Sequence, residues 1–323
     1  MWRFAVRRFI IMIPQLFLLS IIVFLVAQAM PGDALTGLLD PNMPPEAIAQ
    51  QRALLGLDNP WYQRYWDWIT GIVTAGDFGR SFTFQVPVTT IIGERMGNTL
   101  RLASLTLVLM YMIALPFGII SGRHHGTWKD KLITTYTYIG FGIPIMVSAL
   151  MLLFVFGFRL QWFPTGLSVA PGMTPDMGFA YILSRLHHMI LPALSVALVS
   201  TVAIVQYLRG EIVDMEQREF ILTVRAKGAD ENRVYNKHIL RNSLLPIASF
   251  LGLQVAALIG GTAIVVERVF SFPGIGGLFI SSVTGRDFSV MTALVIMFGA
   301  STIVGSFLSD LIMMMVDPRI EIE

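Results

Sequence analysis

The residues best suited to chemistry are His124-His125, His187-His188, the glycine-rich run Gly274-Ile275-Gly276-Gly277 and the serine of Gly299-Ala300-Ser301. Neighbouring residues on a helix point about 100° apart, so one histidine pair rarely gives two ligands to one ion. Both pairs read as interface residues. No acidic residue follows the glycine run at the distance a dinucleotide site needs, so it reads as a loop turn. Ser301 has no histidine in the last two apolar stretches to serve as its base. The chain has no cysteine, which excludes disulfides, thiolate metal sites and cysteine nucleophiles. No Gly-x-x-x-x-Gly-Lys-Ser/Thr string occurs, so energy for any work must come from a partner or a gradient.

One further segment is unusual for where it lies. Arg209–Arg225 carries Glu211, Asp214, Glu216, Arg218 and Glu219, and reads as a polar helix continuing an apolar one. Gly228, in Ala226-Lys227-Gly228-Ala229-Asp230, marks a helix stop or tight turn. Asp230 can cap a second helix starting near Glu231. Lys237, His238 and Arg241 lie on that return leg, with Pro246 beyond them. The implied shape is a charged helix pair with a glycine at its tip. Such a knob suits the transmission of force from a soluble partner; the alternative is a solvated hairpin with no partner.

The elements that hold this segment are set by composition. Of 323 residues, 54% are hydrophobic and only 14% charged, with a mean hydropathy of +0.67. A soluble domain carries roughly 25% charged residues, so most of this surface must face lipid. A crossing needs about 20 apolar residues. Six stretches qualify: 9–30, 99–122, 132–158, 189–208, 244–266 and 288–316. The third contains Gly140, Gly142 and Pro144 and is expected to bend. The first is too long for a signal-peptide core and lacks a small-residue cleavage site, so it reads as retained. More than half of the 23 basic residues fall in alternate loops, including all four lysines (129, 131, 227 and 237). The positive-inside rule then places both termini, and the Gly228 knob, in the cytoplasm. The expected layout is a first span over 1–30, an extracytoplasmic loop over 31–97, a core with five spans over 98–318 with the knob at about 211–243, and a tail over 319–323.

In the outer loop, Pro60 can open a helix. Trp61, Tyr65 and Trp68 share one face of it, and Tyr62, Trp66 and Ile69 another. The helix fits either an aromatic belt at the membrane interface or a docking surface for an extracytoplasmic partner. Polar groups inside spans are functional candidates by default. Gln206 and Gln254 are candidates to line a pathway, whereas Asp310 sits nearer the inner end, where it can pair with a neighbour. Gly252, Ala256, Ala257, Gly260 and Gly261 suit close helix packing.

Phe220-Ile-Leu-Thr-Val-Arg-Ala-Lys-Gly228 and His238-Ile-Leu-Arg-Asn-Ser-Leu-Leu-Pro246 resemble the coupling segment of ABC-importer permeases. The chain is most similar to the peptide and nickel permease family, in its B-type subunit. Leu55–Pro60, Gly76–Ser81, Leu115–Gly118, Trp162–Pro164, Val266–Phe270, Pro273–Gly276, Arg286-Asp287 and Asp317–Ile320 match that family's pattern in order. Where the general permease signature has Glu-Ala-Ala, this chain reads Leu222-Thr223-Val224.

The resemblance implies an all-α type I permease with six spans and no catalytic residue, cofactor or metal of its own. It implies that Thr223, Arg225, Ala226, Lys227, Gly228, Ala229, Asp230, His238, Arg241 and Asn242 form the loop that couples to a separate ATPase. Two ATPase subunits using ATP and Mg, a homologous second permease and an extracytoplasmic binding protein would complete the system in a prokaryotic cell membrane. The implied cargo is dipeptides or oligopeptides, with nickel complexes, glutathione or another small solute as alternatives; no nucleic acid is involved. The contrasting class, an autonomous secondary transporter or channel, would show paired broken helices in an internal repeat, and no such repeat is evident.

Overall fold

Backbone polar groups in lipid must be satisfied within the chain, which leaves helices as the natural spanning element for this composition. The computed structural model describes residues 2–29, 44, 46, 50 and 58–316. The expected features at 30–33, 55–57 and 317–320 lie outside the described residues. Among the described residues the only β-type pairing is an isolated bridge between Arg80 and Pro87.

The chain begins with α1 (Trp2–Ala29), α2 (Trp61–Ala75) and α3 (Val88–Arg123). Next come α4 (Trp128–Gly142) and α5 (Ile145–Leu152), the latter continuing as a π-helical turn over Leu153–Arg159. The long α6 (Phe179–Glu216) is followed by the short α7 (Glu219–Ala226). The return leg runs through α8 (Glu231–Arg233), a π-helical stretch (Val234–Leu240), α9 (Arg241–Ser243), α10 (Leu245–Ala257), a second π-helical stretch (Leu258–Thr262) and α11 (Ala263–Val269). The last two helices are α12 (Ile275–Thr284) and α13 (Phe288–Val316).

Among the described residues, five helical segments are long and apolar enough to cross a membrane: Ala5–Ala29, Val88–Arg123, Phe179–Glu216, Phe250–Val269 and Phe288–Met315. Trp128–Gly142 and Ile145–Arg159 bend by 104° where they meet, and taken as one broken span they make the sixth. The bend has a local cause. Proline lacks an N–H and drives the residue before it out of helical geometry, and Ile143 accordingly has φ −98 and ψ 113.

Glycines set the closest helix contacts. A Cβ on Gly118 would lie 2.8 Å from Leu208 Cδ2, and one on Gly122 would lie 2.8 Å from Ile212 Cβ, so α3 lies tightly along α6. A Cβ on Gly299 would overlap the Leu19 side chain, which seats α13 on α1. At the α10–α13 crossing, a Cβ on Gly252 would overlap the Gly305 carbonyl and come within 2.7 Å of the Ser309 nitrogen. Of the small residues expected to serve packing here, Gly252 and Ala256 do so; Gly261 faces open space. A backbone carbonyl cannot rotate away as a side chain can. Gly252→Val is therefore expected to cost at least the upper part of the ~1–3 kcal/mol typical of overpacking. Gly261→Ala is the matched control. Thermal unfolding of both purified variants checks this, and equal midpoints would refute the crossing.

Among the described residues, three apolar clusters fill the bundle. One, at the end that carries Gly228, joins Met110, Ala114, Val205, Leu208 and Ile212 of the long helices to Ile221, Val234, Ile239 and Ile247. A second links α3, α5, α6 and α11 through Leu102, Ala149, Leu191 and Val266, with Phe270 just beyond α11. The third lies at the opposite end and packs Val88 and Ile91 against Ile275, Leu278, Val290 and Leu294. Outside these, α2 leans on α1: Tyr65 meets the rings of Phe17 and Phe24 edge-on, and its hydroxyl is 2.8 Å from Ser20 Oγ. Tyr62 and Trp66 remain exposed.

Candidate functional site

The expected polar helix Arg209–Arg225 is in fact two helices. α6 ends at Glu216, Arg218 is extended (φ −69, ψ 139), and α7 restarts at Glu219. The break has an electrostatic counterpart. Arg225 Nη2 reaches Glu216 Oε1 at 2.8 Å, and its Nε reaches Glu231 Oε1 at 2.9 Å. On an unbroken helix, nine residues would separate Arg225 and Glu216 by about 13.5 Å along the axis. The fold-back brings them together, and the two carboxylates, Glu216 first, raise the Arg225 pKa further above its already high range.

The tip of the knob follows the sequence expectation. Gly228 has φ +77, in the left-handed region, and a Cβ there would meet nothing of this chain. Its N–H donates to the Arg225 carbonyl at 2.9 Å, and the Lys227 N–H donates to Thr223 O at 3.1 Å, closing α7. Asp230 caps α8 by accepting from the Asn232 N–H at 3.1 Å.

The ten residues assigned to this segment divide by direction. Thr223, Ala226, Lys227, Gly228, Asp230 and Arg241 are exposed, whereas Arg225, Ala229, His238 and Asn242 are half-buried. Asn242 Nδ2 donates to the His238 carbonyl at 2.5 Å. Beneath them Ile221 and Val234 are fully buried, while Phe220 and Leu222 stand 44% and 58% exposed. The knob is thus anchored on its inner side and presents apolar side chains on its outer side, although it lies between spans rather than in one.

A third helix also grips the knob. The Arg123 guanidinium, at the end of α3, lies 4.7 Å from the centroid of the Tyr235 ring, and its Nη2 donates to Asn232 Oδ1 at 2.8 Å. Burial pushes the Tyr235 phenol up to about 12, with Arg123 opposing the shift and Glu216 adding to it. Tyr235 therefore keeps its proton at neutral pH and donates it to the Ile119 carbonyl at 3.3 Å.

Two carboxylates not singled out by the sequence, Asp130 and Glu267, each gather three or more hydrogen bonds from separate parts of the chain. Asp130 accepts from Arg209 Nε at 2.7 Å and Nη2 at 3.0 Å, from Ser121 Oγ at 2.5 Å and from the Gly126 N–H at 2.8 Å. Further along the same α4–α6 seam, Gln206 Nε2 donates to Thr137 Oγ1 and Tyr136 OH lies 2.7 Å from Thr201 Oγ1. Gln206, a candidate for the pathway, thus has its amide engaged in this seam. Gln254 is half-buried on α10.

Glu267, 1% exposed, accepts from Thr99 Oγ1 at 2.5 Å and from the N–H groups of Gly276 and Gly277 at 2.7 and 3.2 Å. The glycine run, expected as a loop turn, instead forms the start of α12: Gly274 stands just before the helix and Ile275, Gly276 and Gly277 make its first turn, whose free N–H groups cradle this carboxylate. Nearby, Ser81 Oγ hydrogen-bonds to Asp287, which also accepts from the Thr83 N–H at 3.1 Å. Two motifs read separately in the sequence are therefore one contact. The available signal for Glu267 was a charged residue one position beyond the expected end of an apolar stretch.

Three of the paired histidines meet backbone carbonyls: His124 Nδ1 lies 3.1 Å from Ile120 O, His187 Nε2 2.9 Å from Trp162 O, and His188 Nδ1 2.7 Å from Ser184 O. No group of three or more His, Asp or Glu among the described residues could hold a metal ion. Asp310 lies 3.1 Å from Arg8 Nε, the pairing expected of it.

Residues 114–322 match the family described as binding-protein-dependent transport system inner membrane component. Residues 1–103 match that system's N-terminal membrane component. The oligopeptide transport system permease protein AppB of Bacillus subtilis is 37% identical over 98% of this chain and 99% of its own length. The glutathione transport system permease protein GsiC of Escherichia coli is 32% identical over 99% of each chain. Among solved structures, the MetNI methionine ABC transporter in inward-facing conformations aligns with a TM-score of 0.55 at 14% identity, covering 71% of this chain and 97% of that one. An amino acid ABC transporter aligns at 0.52 and 17% identity, over 69% and 92%. At these identities the two structures speak for the fold.

Proposed function

Because the chain belongs to the family of binding-protein-dependent transport inner membrane components, we propose that it is the B-type permease subunit of an ATP-driven peptide importer, coupled to separate ATPase subunits through the Gly228 knob. Its names among relatives support peptides as cargo, oligopeptides foremost; glutathione, itself a tripeptide, belongs to the same chemical class. ATP and Mg act in two ATPase subunits. A homologous second permease supplies the other half of the pathway, and a binding protein delivers cargo from the outside. Both termini and the knob face the cytoplasm, as the distribution of lysine and arginine supports.

The observation that carries this reading is the knob itself. Its inner side is locked by Ile221, Val234 and Arg225, while Phe220, Leu222, Lys227 and Gly228 are left exposed. A rigid, partly apolar projection between spans is suited to seating in a groove of a soluble partner. Closure of the ATPase pair on ATP would then displace the knob and tilt the spans between inward-open and outward-open arrangements.

The test sets a residue that tolerates the left-handed region against one that is both bulky and strained there. Gly228→Asn keeps access to the left-handed region and is expected to assemble and transport. Gly228→Trp fills the space this chain leaves empty. It is expected to insert normally yet lose transport and substrate-stimulated ATPase activity by at least ten-fold. Unaltered transport in the tryptophan variant would sink the coupling role.

A further inference from the structure

The knob is covalently continuous with two spans, α6 before it and α10–α11 after it. α3 has no such link, since it ends at Arg123 and the chain turns away into α4. Yet Arg123 reaches the knob twice, over the Tyr235 ring and onto Asn232. Tyr235 closes the arrangement by donating to the carbonyl of Ile119, one turn back on α3. The apolar contacts below are no substitute for this. Gly118 and Gly122 give α3 a smooth seam against Leu208 and Ile212, and a seam of small residues fixes distance better than register. The Arg123 contacts fix register.

The opposite half of α3 is equally committed. The helix is continuous for 36 residues with Pro116 inside it, and Asn98 lies about 38 Å from Arg123 along the axis at 1.5 Å per residue. There Asn98 Nδ2 donates to the Pro273 carbonyl at 3.0 Å. Thr99 Oγ1 bonds Glu267 and accepts from the Ile275 N–H at 2.9 Å. One helix therefore joins the knob to the turn between α11 and α12 on the opposite side of the bundle.

From this geometry we infer that Arg123 is a positioning residue for coupling: it clamps α3 to the Gly228 knob, so that displacement of the knob is carried along α3 to the Glu267 turn. The inference rests on the coupling role proposed for the knob. It adds that a span with no covalent link to the knob is driven by it. Arg123 touches neither nucleotide nor cargo in this scheme, and hydrolysis itself is left to the ATPase subunits.

The experiment uses the complete importer in proteoliposomes, with a tetrapeptide loaded on the binding protein, and reads the ratio of stimulated to basal ATPase activity. Arg123→Ala is expected to lower that ratio roughly five-fold, the scale of losing a cation–π contact together with a charge-assisted hydrogen bond. Arg123→Lys keeps the cation over the ring and should restore part of the ratio. Asn232→Ala on the Arg123→Ala background should lower it no further. Gly228→Trp is run beside them. If Gly228→Trp uncouples while Arg123→Ala and Arg123→Lys both keep the wild-type ratio, the Arg123 inference is overturned and the docking role of the knob stands. If Gly228→Trp keeps the full ratio, the docking role fails and this inference fails with it. Should Arg123→Ala not assemble, wild-type ratios in both Arg123→Lys and Asn232→Ala overturn the inference, and reduced ratios in both support it.

Discussion

Asp130→Ala is expected to destabilise the bundle by about 3–5 kcal/mol, the usual cost of stripping one partner from a buried ion pair. The Asp130 side chain is 5% exposed and that of Arg209 23%. The carboxylate accepts both guanidinium bonds, the Ser121 hydroxyl and the Gly126 N–H. Removing it strands the Arg209 charge between α4 and α6 and leaves the Ser121 and Gly126 donors without their acceptor. The interaction should behave as a unit. Asp130→Ala with Arg209→Met removes both charges and should recover more than half of the loss, since an apolar replacement of both partners is often near neutral. Thermal unfolding of the purified protein in detergent measures both variants. A double variant no more stable than Asp130→Ala alone would show that the pair is not what holds this seam.

Asp130 also marks where reading from sequence stops working. The spans were legible because hydropathy over about 20 residues is a local property, and the bend at Pro144 because proline acts on its own neighbours. The turn at Gly228 and the cap at Asp230 were legible for the same reason. What was not legible depended on partners distant in the chain. Asp130 lay just outside an expected span and counted as loop; its partner Arg209 is 79 residues away. Ser81 and Asp287 are 206 residues apart, and nothing local in either motif announces the other. The charges along Arg209–Arg225 suggested one polar helix, but Arg225 folds back to Glu216 and so two helices form. Arg123, one of the basic residues in the alternate loops, carried no further expectation, because its contacts with Asn232 and Tyr235 belong to tertiary packing.

The second large effect is expected at Gly274, and Glu267 is the reason. The expected end of the fifth span, Val266, stopped one residue short of this carboxylate, so the sequence reading never treated it as an intramembrane charge. In the structure its three hydrogen-bond donors are Thr99 and the N–H groups of Gly276 and Gly277. A Cβ on Gly274 would overlap the carboxylate itself. Gly274 has φ −116 and ψ −172, which any residue can adopt, so the constraint is space and not backbone strain. Gly274→Ala must therefore expel Glu267 from its cradle. Each buried donor left unsatisfied costs about 1–3 kcal/mol, so a loss of several kcal/mol is expected, read as a lower unfolding midpoint and a smaller inserted fraction. Glu267→Ala should cost a similar amount, because the same three donors lose the same acceptor. Glu267→Gln retains one oxygen toward the turn and should be milder. The decisive measurement is the double variant. Once the carboxylate is gone, the Gly274 methyl has room, so Gly274→Ala added to Glu267→Ala should cost almost nothing more. Full additivity of the two losses would mean that Gly274 is small for some reason other than the carboxylate it faces.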